Sequence, residues 1–164
     1  MKEKTCCFTG HRIIPDSDLE RVKQCLTDTI IKTISNGYRY FGAGGALGFD
    51  TLAAQTVLSL REKYPSIKLI LVLPCTTQTK RWQDKDIRIY EHIMQQADKI
   101  VYVSKEYTKD CMFQRNRHLV DYSSLCICYR TKDYGGTAYT VSYAKSNGLK
   151  VINLAKCSGY NIHF

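Results

Sequence analysis

The regular alternation of short apolar runs with amphipathic stretches constrains the fold of this chain more than any other sequence feature. Apolar runs over residues 5–9, 38–41, 67–73, 99–103, 125–129 and 151–154 predict strands. The stretches between them, over about 15–36, 50–63, 82–96, 111–123 and 138–146, predict helices. Strands that alternate with helices run parallel, so we predict an α/β fold: a Rossmann-like three-layer sandwich with a mostly parallel sheet and helices on both faces.

The sequence carries no internal repeat, linker or low-complexity segment, so we expect a single domain over residues 1–164. No apolar run is long enough to span a bilayer. The opening residues 1–4 lead directly into the first apolar run, which argues against a signal peptide. We therefore expect a cytoplasmic protein with no membrane partner.

The chain has eight cysteines, and most lie inside predicted strands or helices, where a free thiol acts as a small apolar side chain. No pair has the Cys-x-x-Cys spacing of a zinc or redox site, so we predict buried, reduced thiols. Cys75 and Cys111 fall in a predicted loop and at a predicted helix start, where a thiol could react. The four histidines are dispersed without the spacing of a zinc site, so we predict no metal.

The formal charge of +9, from 24 Lys and Arg against 15 Asp and Glu, favours an anionic ligand such as a phosphate, a nucleotide or a nucleic acid. The excess is scattered, and no block of five or more like charges is present. Nucleic acid is thus a possible partner but not the favoured one.

Three loops that leave predicted strands have the composition of ligand-binding loops, and ligands of such sheets bind outside the carboxyl ends of the strands. The first loop reads Thr9-Gly10-His11-Arg12. Its glycine permits close approach of the backbone to a ligand, and its arginine offers a planar fork for phosphate. The alternative is a turn with a surface arginine, and His11 alone is more often a structural residue than a catalyst.

The second loop covers residues 42–50 and includes Gly44, Gly45 and Asp50. A glycine-rich turn between strand and helix exposes N–H groups and directs a helix N-terminus at the ligand, which suits phosphate. It matches neither the dinucleotide fingerprint nor the Walker A loop. Asp50 either caps its helix or serves a ligand, by meeting a ribose hydroxyl or by acid/base work.

The third loop, Gly135-Gly136-Thr137, also leaves a strand and enters a helix. The same argument makes it a candidate phosphate-binding turn. Two such turns in one sheet strengthen the prediction of an anion site.

A fourth candidate lies on the predicted helix over residues 111–123. Met112, Arg115 and Leu119 share one face by their spacing, so Arg115 should be at least partly covered. A buried arginine needs an anionic partner, either an internal carboxylate or a ligand phosphate. Asn116 is adjacent and could bond a base, a sugar or the backbone.

Together these motifs resemble the SLOG superfamily, which contains the Lonely Guy phosphoribohydrolases and the DNA-processing A proteins. The closest likeness is to its YpsA-like branch of small bacterial proteins. The residues that carry it are 9–12, 45–50 and 74–82, with Gln78 and Trp82 in the last segment. The resemblance covers nearly the whole chain and implies a nucleotide or nucleotide-derived ligand and a homo-oligomer.

One position departs from the enzymes of that superfamily. Their glycine turn is followed, two residues beyond its threonine, by a glutamate needed for hydrolysis, and the matching residue here is Tyr139. A neutral phenol cannot stabilise the positive charge that forms on the ribose during glycosidic cleavage. Asp50, Asp121 or Asp133 could replace the glutamate only if one of them lies within reach.

Three functional hypotheses follow. The first is a sensor or adaptor that binds a nucleotide-type ligand without turnover, with no cofactor required. In it, the glycine turns and Thr137 donate to phosphate, Arg12 and Arg115 neutralise it, and Gln78 and Trp82 wall the pocket. The second is a nucleotide N-glycoside hydrolase with Asp50 as the acid. The third is a nucleic-acid-binding protein.

Overall fold

The apolar runs form strands close to their predicted positions in a computed structural model, which describes residues 1–157. The strands are β1 (Thr5–Gly10), β2 (Tyr40–Ala43), β3 (Lys68–Leu73), β4 (Lys99–Tyr102), β5 (Leu125–Tyr129) and β6 (Lys150–Asn153). The α-helices between them are α1 (Asp16–Ser35), α2 (Phe49–Arg61), α3 (Asp84–Gln96), α4 (Cys111–Asp121) and α5 (Gly136–Ser146). Short 3₁₀ turns cover Lys2–Lys4 and Leu154–Lys156.

All the strands pair in parallel in one sheet, in the order β4-β3-β2-β1-β5-β6. The chain builds outwards from β1 through β2 and β3 to β4, and α4 then carries it back to β5 on the other side of β1. The strand order therefore reverses between β1 and β5. In parallel α/β sheets, the crevice at such a reversal is where ligands bind.

The alternation of side chains along each strand divides the core into two layers. In β5, Leu125, Ile127 and Tyr129 pack with α1, α2 and α3, whereas Cys126 and Cys128 pack with α4 and α5. These helices cover opposite faces of the sheet, so the predicted three-layer Rossmann-like architecture is confirmed.

All eight cysteines are buried and none forms a disulfide within residues 1–157, as the apolar positions of most of them predicted. The thiols of Cys75 and Cys111 are also buried, each with about 1% exposure or less. Burial therefore argues against the alternative that these two thiols react, since the loop and helix start that carry them are covered by the fold. Burial raises the pKa of the Cys128 thiol to about 12.

Three elements begin two residues away from their predicted starts. β2 begins at Tyr40 rather than at residue 38, because the backbone N–H of Tyr38 donates to the Thr33 carbonyl (3.3 Å) at the end of α1 and so does not join the sheet. α3 begins at Asp84 rather than at residue 82, since a series of turns precedes it. α5 begins two residues earlier than predicted, directly after Gly135.

Among the described helices, none combines the length and the apolar character needed to cross a lipid bilayer.

Candidate ligand-binding cleft

A cleft of about 370 Å³ lies at the reversal of strand order, between the loops that follow β1 and β5. We call it the switch-point cleft. It brings together ten of the predicted site residues, from all of the predicted loops and from α4: Thr9, Gly10, His11, Arg12, Asp50, Arg115, Asn116, Gly135, Gly136 and Thr137. Residues separated by more than a hundred positions in sequence thus converge on one concave surface.

The loop after β1 is held in place by packing and by hydrogen bonds. A Cβ atom on Gly10 would lie 2.4 Å from the ring of Phe49, so only glycine allows that buried ring to pack here. The backbone N–H of His11 donates to the Tyr129 carbonyl (3.3 Å), and Phe49 N–H donates to the His11 carbonyl (3.1 Å). The neighbouring Arg12 is exposed and lines the cleft.

His11 acts as a structural residue in this arrangement. Its Nε2 accepts a hydrogen bond from the backbone N–H of Thr131 (2.9 Å), which ties the loop after β1 to the loop after β5. An accepting Nε2 belongs to the neutral ring. Burial, together with the charges of Lys132 and Arg130, lowers the pKa of His11 and favours that neutral form.

The glycine-rich loop after β2 packs against the loop after β1, which lines the cleft. Gly48 has φ +77°, and a Cβ atom there would lie 2.2 Å from the Arg12 carbonyl oxygen, so this glycine allows the two loops to touch. Gly44 and Gly45 do not line the cleft. The Gly44 carbonyl accepts a hydrogen bond from Arg115, and Gly45 packs near Gln78. Their predicted role as donors to phosphate stays untested. In the structure, the absence of a side chain at these positions leaves space for neighbouring side chains.

Asp50 lies in the first turn of α2 and is 6% exposed. Its Oδ2 accepts a hydrogen bond from the backbone N–H of Ala46 (3.2 Å), within the loop, and its side chain does not cap its own helix. Burial raises the pKa of Asp50, while the charges of Arg115 and Arg12 oppose that rise. A carboxyl group that retains a proton more readily than usual therefore faces the cleft.

Arg115 extends from α4 into the floor of the cleft and is 5% exposed. Its Nε donates to the Asn116 Oδ1 (2.7 Å), one Nη donates to the Gly44 carbonyl, and the other contacts the Met112 sulfur (3.8 Å). All three partners are neutral. In the part of the chain that the structure describes, no carboxylate lies within ion-pairing distance of this guanidinium, although the charge of Asp50 acts on it from farther away.

The N-terminus of α5 closes the other side. Gly135 has φ +91° and precedes the first turn, which contains Gly136 and Thr137. The first N–H groups of a helix have no acceptor within the helix, and the helix dipole favours negative charge at this end. Here that end faces the same space as Arg115.

The lining also contains four residues that were not among the predicted site residues: Ala46, Met112, Lys132 and Tyr134. Met112 shares a helix face with Arg115, which was a usable signal. Lys132 lies in the loop between β5 and Gly135. Because ligands bind beyond the carboxyl ends of parallel strands, this location could have marked Lys132 as a candidate. With Arg12 and Arg115, Lys132 gives the lining three cations against the single carboxylate of Asp50.

Gln78 and Trp82 lie outside the switch-point cleft. They line a neighbouring cleft of about 820 Å³, which we call the Trp82 cleft, between the loop after β3 and the start of α3. Arg12 and Met112 line both clefts, so the two are adjacent. The residues that were predicted to line one pocket therefore line two adjacent clefts.

The residues weighed as substitutes for the missing glutamate are distributed unevenly. Tyr139 faces α4, where its hydroxyl accepts from Arg117 (3.1 Å) and its ring packs against Phe113 (4.8 Å between centroids). Asp121 accepts a hydrogen bond from the hydroxyl group of Tyr143 on α5, and Asp133 forms an ion pair with Arg130 in its own loop. Neither aspartate lines the switch-point cleft, so Asp50 is the carboxylate it contains.

Across residues 1–157, no three His, Cys, Asp or Glu side chains form a group that could hold a metal ion. His163, one of the four histidines, lies outside the described residues.

Comparison with known proteins gives a consistent set of relatives. Residues 9–154 match the sequence model of the YspA SLOG family. The UPF0398 protein YpsA of Bacillus subtilis is 26% identical over 152 residues, which cover 91% of this chain and 81% of that protein. The SPbeta prophage-derived protein YoqJ of Bacillus subtilis is 30% identical over 129 residues, which cover 71% of this chain and 75% of YoqJ.

Among solved structures, DNA processing protein A from Helicobacter pylori, described for its single-stranded DNA binding mode, superposes with a TM-score of 0.66 at 18% identity. The alignment covers 92% of this chain but 64% of that one, so this chain spans less than two thirds of that protein. At this identity the likeness shows a shared fold.

Proposed function

This chain belongs to the YspA SLOG family, and we propose that it binds a nucleotide or nucleotide-derived ligand as a sensor or adaptor, with the ligand's phosphate in the switch-point cleft. The resemblance of its motifs to nucleotide-binding SLOG proteins and the basic lining of the cleft support this proposal. No additional cofactor is part of it.

The observation that carries the proposal is the buried guanidinium of Arg115. It has lost most of its water, and its hydrogen-bond partners are neutral. A buried charge is costly unless an opposite charge compensates it. The charge of Asp50 acts on Arg115 without a direct ion pair between the two side chains, so it compensates the guanidinium only in part. An anion bound beside Arg115 would supply the missing charge.

The surroundings of Arg115 suit a phosphate in particular. The first turn of α5 offers N–H donors together with the positive end of the helix dipole. Arg12 reaches the cleft from the opposite loop, and its guanidinium forms no hydrogen bond or ion pair with residues 1–157. An arginine of that kind is available for a bidentate contact with phosphate.

The test is calorimetric titration of the protein with AMP, repeated on Arg115→Ala and Arg12→Ala. Loss of one charge-assisted hydrogen bond of about 1.5–3 kcal/mol weakens binding by about tenfold to a hundredfold. Arg88→Ala, on the exposed side of α3 outside both clefts, is the matched control and should bind AMP as the unmodified protein does. Circular dichroism verifies that each variant is folded.

Arg12→Ala keeps the proposal testable if Arg115→Ala does not fold, since the Arg12 side chain is exposed. AMP affinity that is unchanged in both arginine variants would refute the phosphate site.

A nucleotide N-glycoside hydrolase is the second candidate, and the burial of Asp50 favours it. A carboxyl group with a raised pKa can give its proton to the departing base while water attacks C1′ of the ribose and the C1′–N bond breaks. The water oxygen becomes the C1′ hydroxyl, and the proton that it releases restores the carboxyl group through solvent. This candidate predicts free adenine from AMP and its loss in Asp50→Asn. Intact AMP after prolonged incubation with the protein would eliminate it.

A further inference from the structure

We propose that the Trp82 cleft is the base subsite for the same ligand, so that the ligand is a nucleotide whose phosphate and heteroaromatic base occupy adjoining clefts. This inference rests on the proposed function, because it takes the phosphate of the switch-point cleft as its starting point. It adds what the phosphate contacts alone do not specify: recognition of the base.

The two clefts are adjacent along one wall. Arg12 and Met112 line both of them, so a molecule anchored near Arg115 can extend past these two side chains into the second space. The Trp82 cleft measures about 820 Å³, within the range typical of small-molecule sites. A planar base and part of a ribose fit within such a volume.

Trp82 supplies an aromatic surface in this cleft. Its ring meets the ring of Tyr90 edge to face, with 5.4 Å between centroids and an interplanar angle of 82°. This contact fixes the orientation of the indole at the wall. Nucleic-acid bases stack on aromatic side chains of this kind, and loss of one such contact weakens binding by about tenfold or more.

Gln78 supplies a hydrogen-bond donor beside it. Its Oε1 accepts from the Tyr90 hydroxyl (3.4 Å), and its Nε2 is buried without a hydrogen-bond partner among residues 1–157. A buried amide N–H₂ group in that state is unusual, because leaving a donor unsatisfied is costly. Because the Gln78 side chain lines the cleft, rotation of its amide would bring Nε2 to the cleft surface, where a ring nitrogen or carbonyl oxygen on a bound base would accept its hydrogen bond.

Tyr90 organises both groups, since it contacts the ring of Trp82 and the amide of Gln78. The aromatic ring of Trp82 and the amide of Gln78 therefore lie beside each other at one wall of the cleft. Shape and polarity together match the flat face and the acceptor edge of a base.

The experiment compares ribose 5-phosphate with AMP, two probes that share the phosphate and ribose and differ in the base. In the unmodified protein we expect AMP to bind about tenfold to a hundredfold more tightly than ribose 5-phosphate. Trp82→Ala and Gln78→Met should each reduce that ratio by about tenfold, with ribose 5-phosphate affinity unchanged. Tyr122→Ala, an exposed aromatic outside both clefts, is the matched control and should leave the ratio unchanged.

Stability distinguishes a binding role of Gln78 from a structural one. Gln78→Met removes an unpaired buried donor, which favours the folded state, and the long 3.4 Å hydrogen bond from Tyr90, which opposes this gain, so the midpoint of urea unfolding should change little. Clear destabilisation of Gln78→Met would instead indicate a structural amide and overturn its assignment to the base.

Failure of this inference differs from failure of the proposed function. Ribose 5-phosphate that binds as tightly as AMP overturns the base subsite and leaves the phosphate site standing. An AMP preference that both variants retain places the base elsewhere and also overturns it. Binding of neither probe refutes the phosphate site itself. A short single-stranded DNA that binds where AMP does not overturns the free-nucleotide ligand in favour of a strand.

Discussion

Replacement of Gly48 by alanine should destabilise the protein sharply, because this glycine is where the loop after β1 rests on the start of α2. A Cβ atom there would lie 2.2 Å from the Arg12 carbonyl oxygen and 2.4 Å from the Arg12 carbonyl carbon. Both are backbone atoms, which cannot move without displacing the whole loop. The backbone angles, φ +77° and ψ −119°, lie in a region that alanine avoids.

The expected magnitude follows from these two costs. Overpacking of this kind costs about 1–3 kcal/mol, and the backbone conformation costs about 1–3 kcal/mol more. Their sum, about 2–6 kcal/mol, is a large fraction of the 5–15 kcal/mol by which domains are typically stable. Displacement of Arg12 should also weaken AMP binding in any fraction that remains folded.

Gly148→Ala is the matched control. Gly148 has φ +79°, almost the same as Gly48, but a Cβ atom there would meet nothing within 4 Å. We therefore expect a cost of about 1–2 kcal/mol from the left-handed backbone alone. Urea unfolding with unchanged m-values would measure both variants. Equal destabilisation of the two would contradict the close contact between Gly48 and the Arg12 loop.

Two further predictions concern titratable groups. The folded-state pKa of His11 is lowered, so its contribution to stability is present above its ordinary pKa near 6.5 and is lost as the pH falls through the folded-state value. The urea midpoint should decrease as the pH is lowered from about 7.5 to about 5.5, and it should decrease less steeply in His11→Gln. Parallel curves of midpoint against pH for the two proteins would count against this. Asp50→Asn should weaken ribose 5-phosphate binding by about tenfold but leave or strengthen inorganic phosphate binding, since Asp50 is proposed to meet a ribose hydroxyl. Equal losses for both probes, measured by calorimetry, would remove that role.

The sheet was largely predictable because local sequence and global fold agree. The apolar run over 67–73 becomes β3 with a one-residue difference, and the alternation in β5 places Cys126 and Cys128 on one face and Ile127 on the other. Boundaries were missed where a backbone group of an apolar run bonds to the preceding helix instead of to the sheet. Tyr38, whose N–H donates to the Thr33 carbonyl at the end of α1, is one such case.

The candidate site was predictable in part, because loops at the carboxyl ends of parallel strands converge wherever the strand order reverses. Arg115 emerged from helix spacing, and its burial agrees with that spacing. The separation of Trp82 from the switch-point cleft was not predictable, since it depends on turns over 76–82 that carry no periodic signal. Nor did the sequence reveal that Gly10 is required by the ring of Phe49, a contact across 39 positions.

The most direct test of the central claim is thermal unfolding of the unmodified protein titrated with AMP, followed by chromatography of the ligand. The unfolding midpoint should rise with AMP concentration, with stabilisation of about 2.7 kcal/mol at a hundredfold excess over Kd, and the AMP should be recovered intact. An unfolding midpoint that stays constant at millimolar AMP would contradict a nucleotide site at the switch-point cleft.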